Sequence, residues 1–172
     1  MVVAAQSKGS LPTELKDSKL MSKTQRLKIL NKLSICCSFG EGWVSVAEID
    51  KLGLAGALRL GVRRALKALK VPASSKIIID GLINYCPKQY KNAACLVRAD
   101  SLVPIVSAAS VHAKVKRDSY MAELAKRHPD YGFEKHVGYG TKEHLKALDT
   151  YGVLKSVHRL SYAPIAARAE AG

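Results

Sequence analysis

Acid is scarce in this sequence. Fourteen Asp and Glu stand against 28 Lys and Arg, giving a formal charge of +14 over 172 residues. A field of that sign favours polyanionic partners, nucleic acid first and acidic membrane surfaces second. Long apolar runs are lacking too. None approaches the ~20 residues that cross a bilayer, and no charged stretch leads into an apolar one near Met1, as a secretory signal requires. The expectation is a soluble, cytoplasmic protein that acts away from membranes. Metal-binding cysteine patterns are also missing: Cys36, Cys37, Cys86 and Cys95 fit no ligand spacing, so they are expected as reduced thiols, partly within strands. Internal repeats are absent, and the one biased segment is the Ala-rich stretch 166–172, expected as a disordered tail. With 48% hydrophobic residues the chain has enough apolar mass for a core, and its length suits one domain, placed at 1–165.

The pattern along the chain alternates strand and helix signals, which indicates a mixed α/β domain. Residues 1–5 read as a strand. Ser22 and Gln25 form a capping-box pair that opens a helix through about Leu33. Residues 34–39 and 43–46 are β-prone and flank Gly40-Glu41-Gly42, so a hairpin is expected there. Residues 47–69 carry apolar side chains at helical spacing, and Gly53, Gly56 and Gly61 within them are expected to mark either a close-packing face or a short break near Gly53. A buried strand follows at 76–80 and another at 94–98. One long helix is expected over 102–128, with Pro104 in its first turn, and a final helix runs from its cap at Thr141 to Gly152.

Asp80 ends an apolar strand and precedes Gly81, a position that holds its carboxylate at a sheet edge. Taken alone it is an ordinary Asp-Gly turn. Asp100 precedes a helix start, and taken alone it is an N-cap. Two acids at the ends of adjacent elements are nonetheless a layout suited to holding a divalent cation against a phosphodiester. His112 reads as a packed histidine, and His136 and His144 lack a third partner at zinc spacing. Lys114, Lys116, Arg117 and the turn Gly138-Tyr139-Gly140-Thr141-Lys142 offer phosphate donors, although about half of such lysines serve only as a solvated face. Tyr139, between two glycines, is placed to stack on a sugar or base. No serine or cysteine sits beside a plausible base, so no covalent intermediate is expected.

These residues fall into an ordered series. Ile79-Asp80-Gly81, Arg98-Ala99-Asp100-Ser101-Leu102-Val103-Pro104, Ser107-Ala108-Ala109-Ser110, Ala113-Lys114-Val115-Lys116-Arg117-Asp118, Tyr131-Gly132-Phe133, Gly138-Tyr139-Gly140-Thr141-Lys142-Glu143-His144-Leu145 and His158-Arg159-Leu160-Ser161-Tyr162-Ala163-Pro164 resemble bacterial ribonuclease HII, the type 2 ribonuclease H. Asp17-Ser18-Lys19 and the run 46–50 resemble its earlier landmarks. The resemblance implies an RNase H-like α/β fold, a mixed sheet flanked by helices with a C-terminal helical part. It implies a monomeric endonuclease that uses Mn2+ or Mg2+. The reaction it implies is cleavage of the RNA strand of RNA–DNA hybrids, including single ribonucleotides embedded in duplex DNA. By the same resemblance Asp80 and Asp100 are catalytic metal ligands, the third and fourth of four carboxylates. Tyr139 contacts the ribose–deoxyribose junction, and Lys19, Lys114 and Arg117 contact substrate.

The departures matter as much. The family's first motif, a strand bearing adjacent Asp and Glu followed by Gly-Arg-Gly, has no counterpart here, and residues 1–5 resemble the strand that comes after it. The first sheet strand is therefore expected to be missing, and the chain as written to be inactive or barely active and poorly stable. Smaller departures are Leu82 for Asn, Arg98-Ala99 for Lys-Gly, and Val137 for Lys. A start codon set too far downstream is the favoured explanation. A remnant that binds hybrid nucleic acid without cleaving it is the alternative, and the DNA just upstream discriminates between them.

Overall fold

The structure is a computed structural model that describes residues 1–15 and 17–169. They divide into two compact units, Met1–Val44 with Ala55–Val115, and Ser45–Leu54 with Lys116–Gly172.

In the first unit β1 (Val2–Ser7) pairs antiparallel with β2 (Cys37–Gly42), Val2 opposite Gly42 and Ser7 opposite Cys37. Helix α1 (Lys23–Cys36) joins them and opens on the expected capping box. The Ser22 hydroxyl accepts from the Gln25 N–H at 3.2 Å, and the Gln25 side chain accepts from the Ser22 N–H at 2.7 Å. Ile29 and Leu33 of α1 pack with Cys37, Ala108 and Val111 into one core. The expected hairpin does not form. Gly40-Glu41-Gly42 lie inside β2, and residues 43–45 form no strand before α2 (Val46–Ala68) begins. Close packing accounts for these glycines: a Cβ on Gly40 or Gly42 would overlap the carbonyl oxygens of Ala65 and Gly61 on α2, so the helix backbone can seat against the strand only where side chains are absent.

A second pair, β3 (Ile77–Asp80) and β4 (Ala93–Leu96), runs parallel with Ile77 opposite Ala93 and Asp80 opposite Leu96. The expected single mixed sheet is thus present as two two-stranded sheets. The expectation that 76–80 is buried fails for the same reason: with β4 on one edge only, the residues of β3 alternate between half-buried and exposed. The long helix is also divided. Helix α3 (Ala99–Leu102) is followed by Val103 in an extended conformation, and α4 (Pro104–Arg127) starts at the proline itself. A residue that precedes proline is pushed out of helical space, which puts the break at Val103.

The second unit takes the start of α2, up to Gly53, whose φ of +67 kinks the helix where the sequence pattern placed a break. It also takes the latter half of α4, then α5 (Phe133–His136), α6 (Lys142–Tyr151) and α7 (Ala163–Ala169). Its core gathers Met121, Leu124, Tyr131, Phe133, Leu148 and Ile165, with the Tyr131 and Phe133 rings stacked at 5.5 Å. Asp50 serves this unit as a backbone clamp, accepting from the N–H groups of Leu160 at 2.9 Å and Ser161 at 3.0 Å. Helix α6 keeps its expected bounds, capped by Thr141 and stopped at Gly152. The segment expected as a tail from Ala166 instead continues α7 to Ala169, anchored by buried Ile165; residues 170–172 lie outside the described residues. No described helix is long and apolar enough to cross a membrane.

Candidate functional site

The end of β3 and the start of α3 meet in the first unit. Arg98 adopts a left-handed conformation (φ 58, ψ 34) that turns the chain into α3. That turn aims the Ala99 N–H at Asp80, whose Oδ1 accepts it at 2.9 Å. Asp80 is thereby fixed beside the residue preceding Asp100. Asp80 itself is exposed, whereas Asp100 is only 4% exposed. A buried carboxylate needs partners, and the Lys19 Nζ donates to the Asp100 Oδ2 at 2.9 Å. The Ser101 hydroxyl, 3.5 Å from the Asp100 Oδ1, directs its one proton to Asp17 at 2.9 Å. The Lys19 ammonium is held above the ordinary lysine range, first by its hydrogen bond and charge interaction with Asp100, then by the charges of Asp17 and Asp80. Asp17 is pushed down, chiefly because it accepts from the Lys19 backbone N–H at 2.9 Å. Three carboxylates and one ammonium therefore share this corner.

Two of these groups were proposed as metal ligands from the sequence. Among the described residues no three carboxylate, histidine or cysteine side chains stand together as a cation site. Asp17 is the addition that the sequence reading did not name as a site residue; its place in the Asp17-Ser18-Lys19 landmark was the available signal. Asp17 also caps the short 3-10 turn Ser18–Leu20, which presents Lys19.

The second unit holds Tyr139, 69% exposed on the turn between α5 and α6. Its backbone is fastened on both sides: its N–H donates to the His136 carbonyl at 2.8 Å, and its carbonyl accepts from the Thr141 N–H at 2.9 Å. Beneath the turn lies a histidine relay that sequence spacing did not reveal. The Leu154 N–H donates to His158 Nδ1 at 3.0 Å, so His158 carries its proton on Nε2. That proton reaches His144 Nε2 at 3.2 Å, and His144 Nδ1–H in turn donates to the Tyr139 carbonyl at 2.9 Å. His136 stacks on His144 at 4.3 Å between centroids. Burial, then the neighbouring His144, pushes His158 down to about 4. His144 is lowered for the same leading reason. Both rings are neutral at pH 7, as the relay requires.

Arg117 also joins the Tyr139 turn, donating to the Val137 carbonyl at 3.4 Å. Val137 has φ +45, an outlying conformation for a β-branched residue. Strain of that kind is held only where the surroundings fix it. Lys114 sits half-buried on α4. His112 is packed as the sequence reading expected, stacked on Phe39 at 4.2 Å, with its Nε2 2.8 Å from Glu41. The structure thus gathers Lys19, Asp80 and Asp100 in one unit, and Arg117 with the Tyr139 turn in the other.

The chain is 43% identical over 159 residues to ribonuclease HII of Parvibaculum lavamentivorans, a match covering 90% of this chain and 56% of that protein. It is 40% identical over 155 residues to ribonuclease HII of Acidovorax sp. strain JS42, covering 88% and 71%. The chain spans about half the length of the first of these relatives and under three quarters of the second. In fold it is similar to ribonuclease H2 of Pyrococcus horikoshii OT3, with a TM-score of 0.68 at 21% identity over 99% of this chain and 97% of that one. It is also similar to a chain of the PCNA:RNase HII complex from Archaeoglobus fulgidus, with a TM-score of 0.64 at 20% identity, covering 92% and 82%. A family profile described as ribonuclease HII matches residues 1–165, and the chain belongs to that family.

Proposed function

We propose that this protein recognises RNA–DNA hybrid, and duplex DNA with an embedded ribonucleotide. We further propose that the phosphodiester hydrolysis of its family centres on Asp80 and Asp100. The observation that carries the reading is the convergence of Asp80 and Asp100 through the Ala99 N–H, beside the Lys19 ammonium. The formal charge of +14 supplies the sequence-independent attraction to a phosphate backbone. Tyr139, exposed and rigidly mounted, offers a stacking face for a sugar or base, and the Arg117 guanidinium stands close by as a phosphate donor.

The residues of this chain do not fit the two cations that the family's chemistry implies. Two cations ~4 Å apart need a larger set of carboxylates to fix them, and one oxygen of Asp100 is already bonded to Lys19. Residues 1–172 therefore bind substrate and turn it over slowly or not at all. The second reading, a hybrid-binding remnant without cleavage, is favoured by the same acid shortage.

A binding and cleavage pair of assays tests this. Fluorescence anisotropy with an embedded-ribonucleotide duplex should show binding that falls steeply as salt rises. Manganese should produce cleavage far below that of a complete relative. Turnover at the relative's rate overturns the acid-shortage argument. Binding no tighter to the embedded-ribonucleotide duplex than to plain duplex DNA overturns the substrate assignment. In a polypeptide with the full acid set, Asp80→Asn should abolish cleavage and spare binding; retained cleavage removes Asp80 from the site.

A further inference from the structure

The end of α2, in the first unit, carries a feature that the acid corner does not use. After Ala68 the chain turns through Lys70, which has φ +53. The Lys70 N–H donates to the Lys67 carbonyl at 3.0 Å, and the Val71 N–H to the Leu66 carbonyl at 3.1 Å. Glycine or asparagine ordinarily takes such a left-handed position, because a longer side chain strains it. Here it is lysine. Beside the turn, between the end of α2 and the residues that precede β4, lies a cavity of about 420 Å³. Arg63, Lys67 and Lys70 line it, and no described carboxylate does. None of the three makes an ion pair with a described residue. The imbalance extends through the region: residues 55–99 hold nine Lys and Arg and a single acid, Asp80. The cavity's apolar wall is Leu66, Val71 and the buried Tyr90, with exposed Gln89 at its edge. Cross-links hold that wall in place: the Tyr90 hydroxyl donates to the Val71 carbonyl at 3.1 Å, and the Asn92 side chain to the Ser74 carbonyl at 3.0 Å.

We infer that this cavity is a nucleotide site, with phosphates held among Arg63, Lys67 and Lys70 and the base against the Leu66, Val71 and Tyr90 wall beside Gln89. The helix dipole accounts for cations at the last turn of α2. It does not account for Arg63, which lies more than a turn earlier, or for a strained lysine where glycine would serve. Arg63 and Lys67 also stand four residues apart, a spacing at which like charges destabilise a helix. A bound phosphate turns that repulsion into attraction and supplies the acceptor that a guanidinium favours. The volume falls within the roughly 300–1,000 Å³ of small-molecule sites. The cavity is also separate from the acid corner. β3 and β4 run parallel, Val71 and Tyr90 precede them, and Asp80 ends β3, so the two sites lie at opposite ends of a strand that spans roughly 10 Å. A free nucleotide and the phosphorylated end of a nucleic-acid strand offer the same chemistry here.

The test uses the whole chain in EDTA, so that no cation draws phosphate to the acid corner. Calorimetry and amide shifts follow the binding of adenosine diphosphate, pyrophosphate, and a short 5′-phosphorylated oligodeoxynucleotide. A nucleotide in the cavity should bind saturably and shift the amides of residues 66–71 and 88–91. Arg63→Gln should weaken it about tenfold. Lys70→Gly gives the sharper reading: it should weaken binding to a similar degree while the melting temperature rises, because the lost charge is accompanied by relief of backbone strain. Affinity and stability moving in opposite directions exclude loss of the fold as the cause. Tighter binding of the oligonucleotide than of adenosine diphosphate assigns the site to strand ends, and the reverse assigns it to free nucleotides. Pyrophosphate bound as tightly as either nucleotide probe overturns the nucleotide assignment. No binding by either nucleotide probe, or an affinity unchanged in both variants, overturns the site. Asp80→Asn should bind adenosine diphosphate as the parent does; a loss there places the ligand at the acid corner and overturns the inference. Cleavage plays no part in any of these readings, so failure of the nuclease proposal leaves them unaffected.

Discussion

Lowering the pH should loosen the Tyr139 turn before it unfolds the rest, and His158 sets the size of the effect. In the unfolded chain the ring titrates near its ordinary value of 6.5; in the fold, burial and His144 hold it at about 4. Between those values the unfolded state binds more protons, so stability rises with pH. The contribution is complete above 6.5, is lost as pH falls from 6.5 to about 4, and changes no further below that. At ~1.4 kcal/mol per pH unit this span corresponds to about 3 kcal/mol, and screening by nearby solvent brings the expected loss to about 2 kcal/mol. Burial is the leading cause of that lowering, the charge interaction with His144 comes next, and those with His128 and His136 add smaller contributions of the same sign. Urea denaturation from pH 7.5 to 4, for the parent and for His158→Gln, measures the effect as a difference. The variant should show the flatter curve across that window. Proton NMR of the histidines supplies the direct reading. A His158 resonance that titrates near 6.5 in the folded protein refutes the reasoning, as does a variant whose pH dependence matches the parent's.

Three further outcomes follow from the geometry. Tyr139→Ala removes an exposed ring, so its melting curve should stay within ~0.5 kcal/mol of the parent. Anisotropy with the embedded-ribonucleotide duplex should weaken about tenfold, given ~1–3 kcal/mol for one stacking contact; unchanged affinity takes Tyr139 out of the interface. Gly42→Ala drives a methyl into the Gly61 carbonyl and should cost about 2–3 kcal/mol in urea titration. Ser22→Ala breaks the capping box at α1 and should cost about 1 kcal/mol, read in the same way; a loss under a quarter of that shows the cap to be dispensable.

Local chemistry was legible without coordinates. Ser22 and Gln25, Thr141 and Gly152 marked helix ends because each satisfies backbone groups within a few residues of itself. The cost of glycine in a helix offered a break near Gly53 or a close-packing face, and the structure has both, the kink at Gly53 and the close approach at Gly61. Other features depended on partners distant in sequence. Gly40 and Gly42 read as a turn until α2 was placed against them, and residues 166–169 read as a tail until Ile165, just before them in the same helix, found its core. Lys19 joined Asp100, and Asp17 joined Ser101, across more than eighty positions, and no periodicity encodes such a distance.

What the sequence determined by itself was charge, cap positions, the motif series and the shortage of acids, all properties of residues or their near neighbours. Tertiary structure alone decided two things: the Lys19 ammonium bonded to Asp100, and the histidine relay under Tyr139. Each arises where segments far apart in the chain must satisfy one another's buried polar groups or fill one another's volume. That requirement is a property of the packed chain, invisible in any window of sequence.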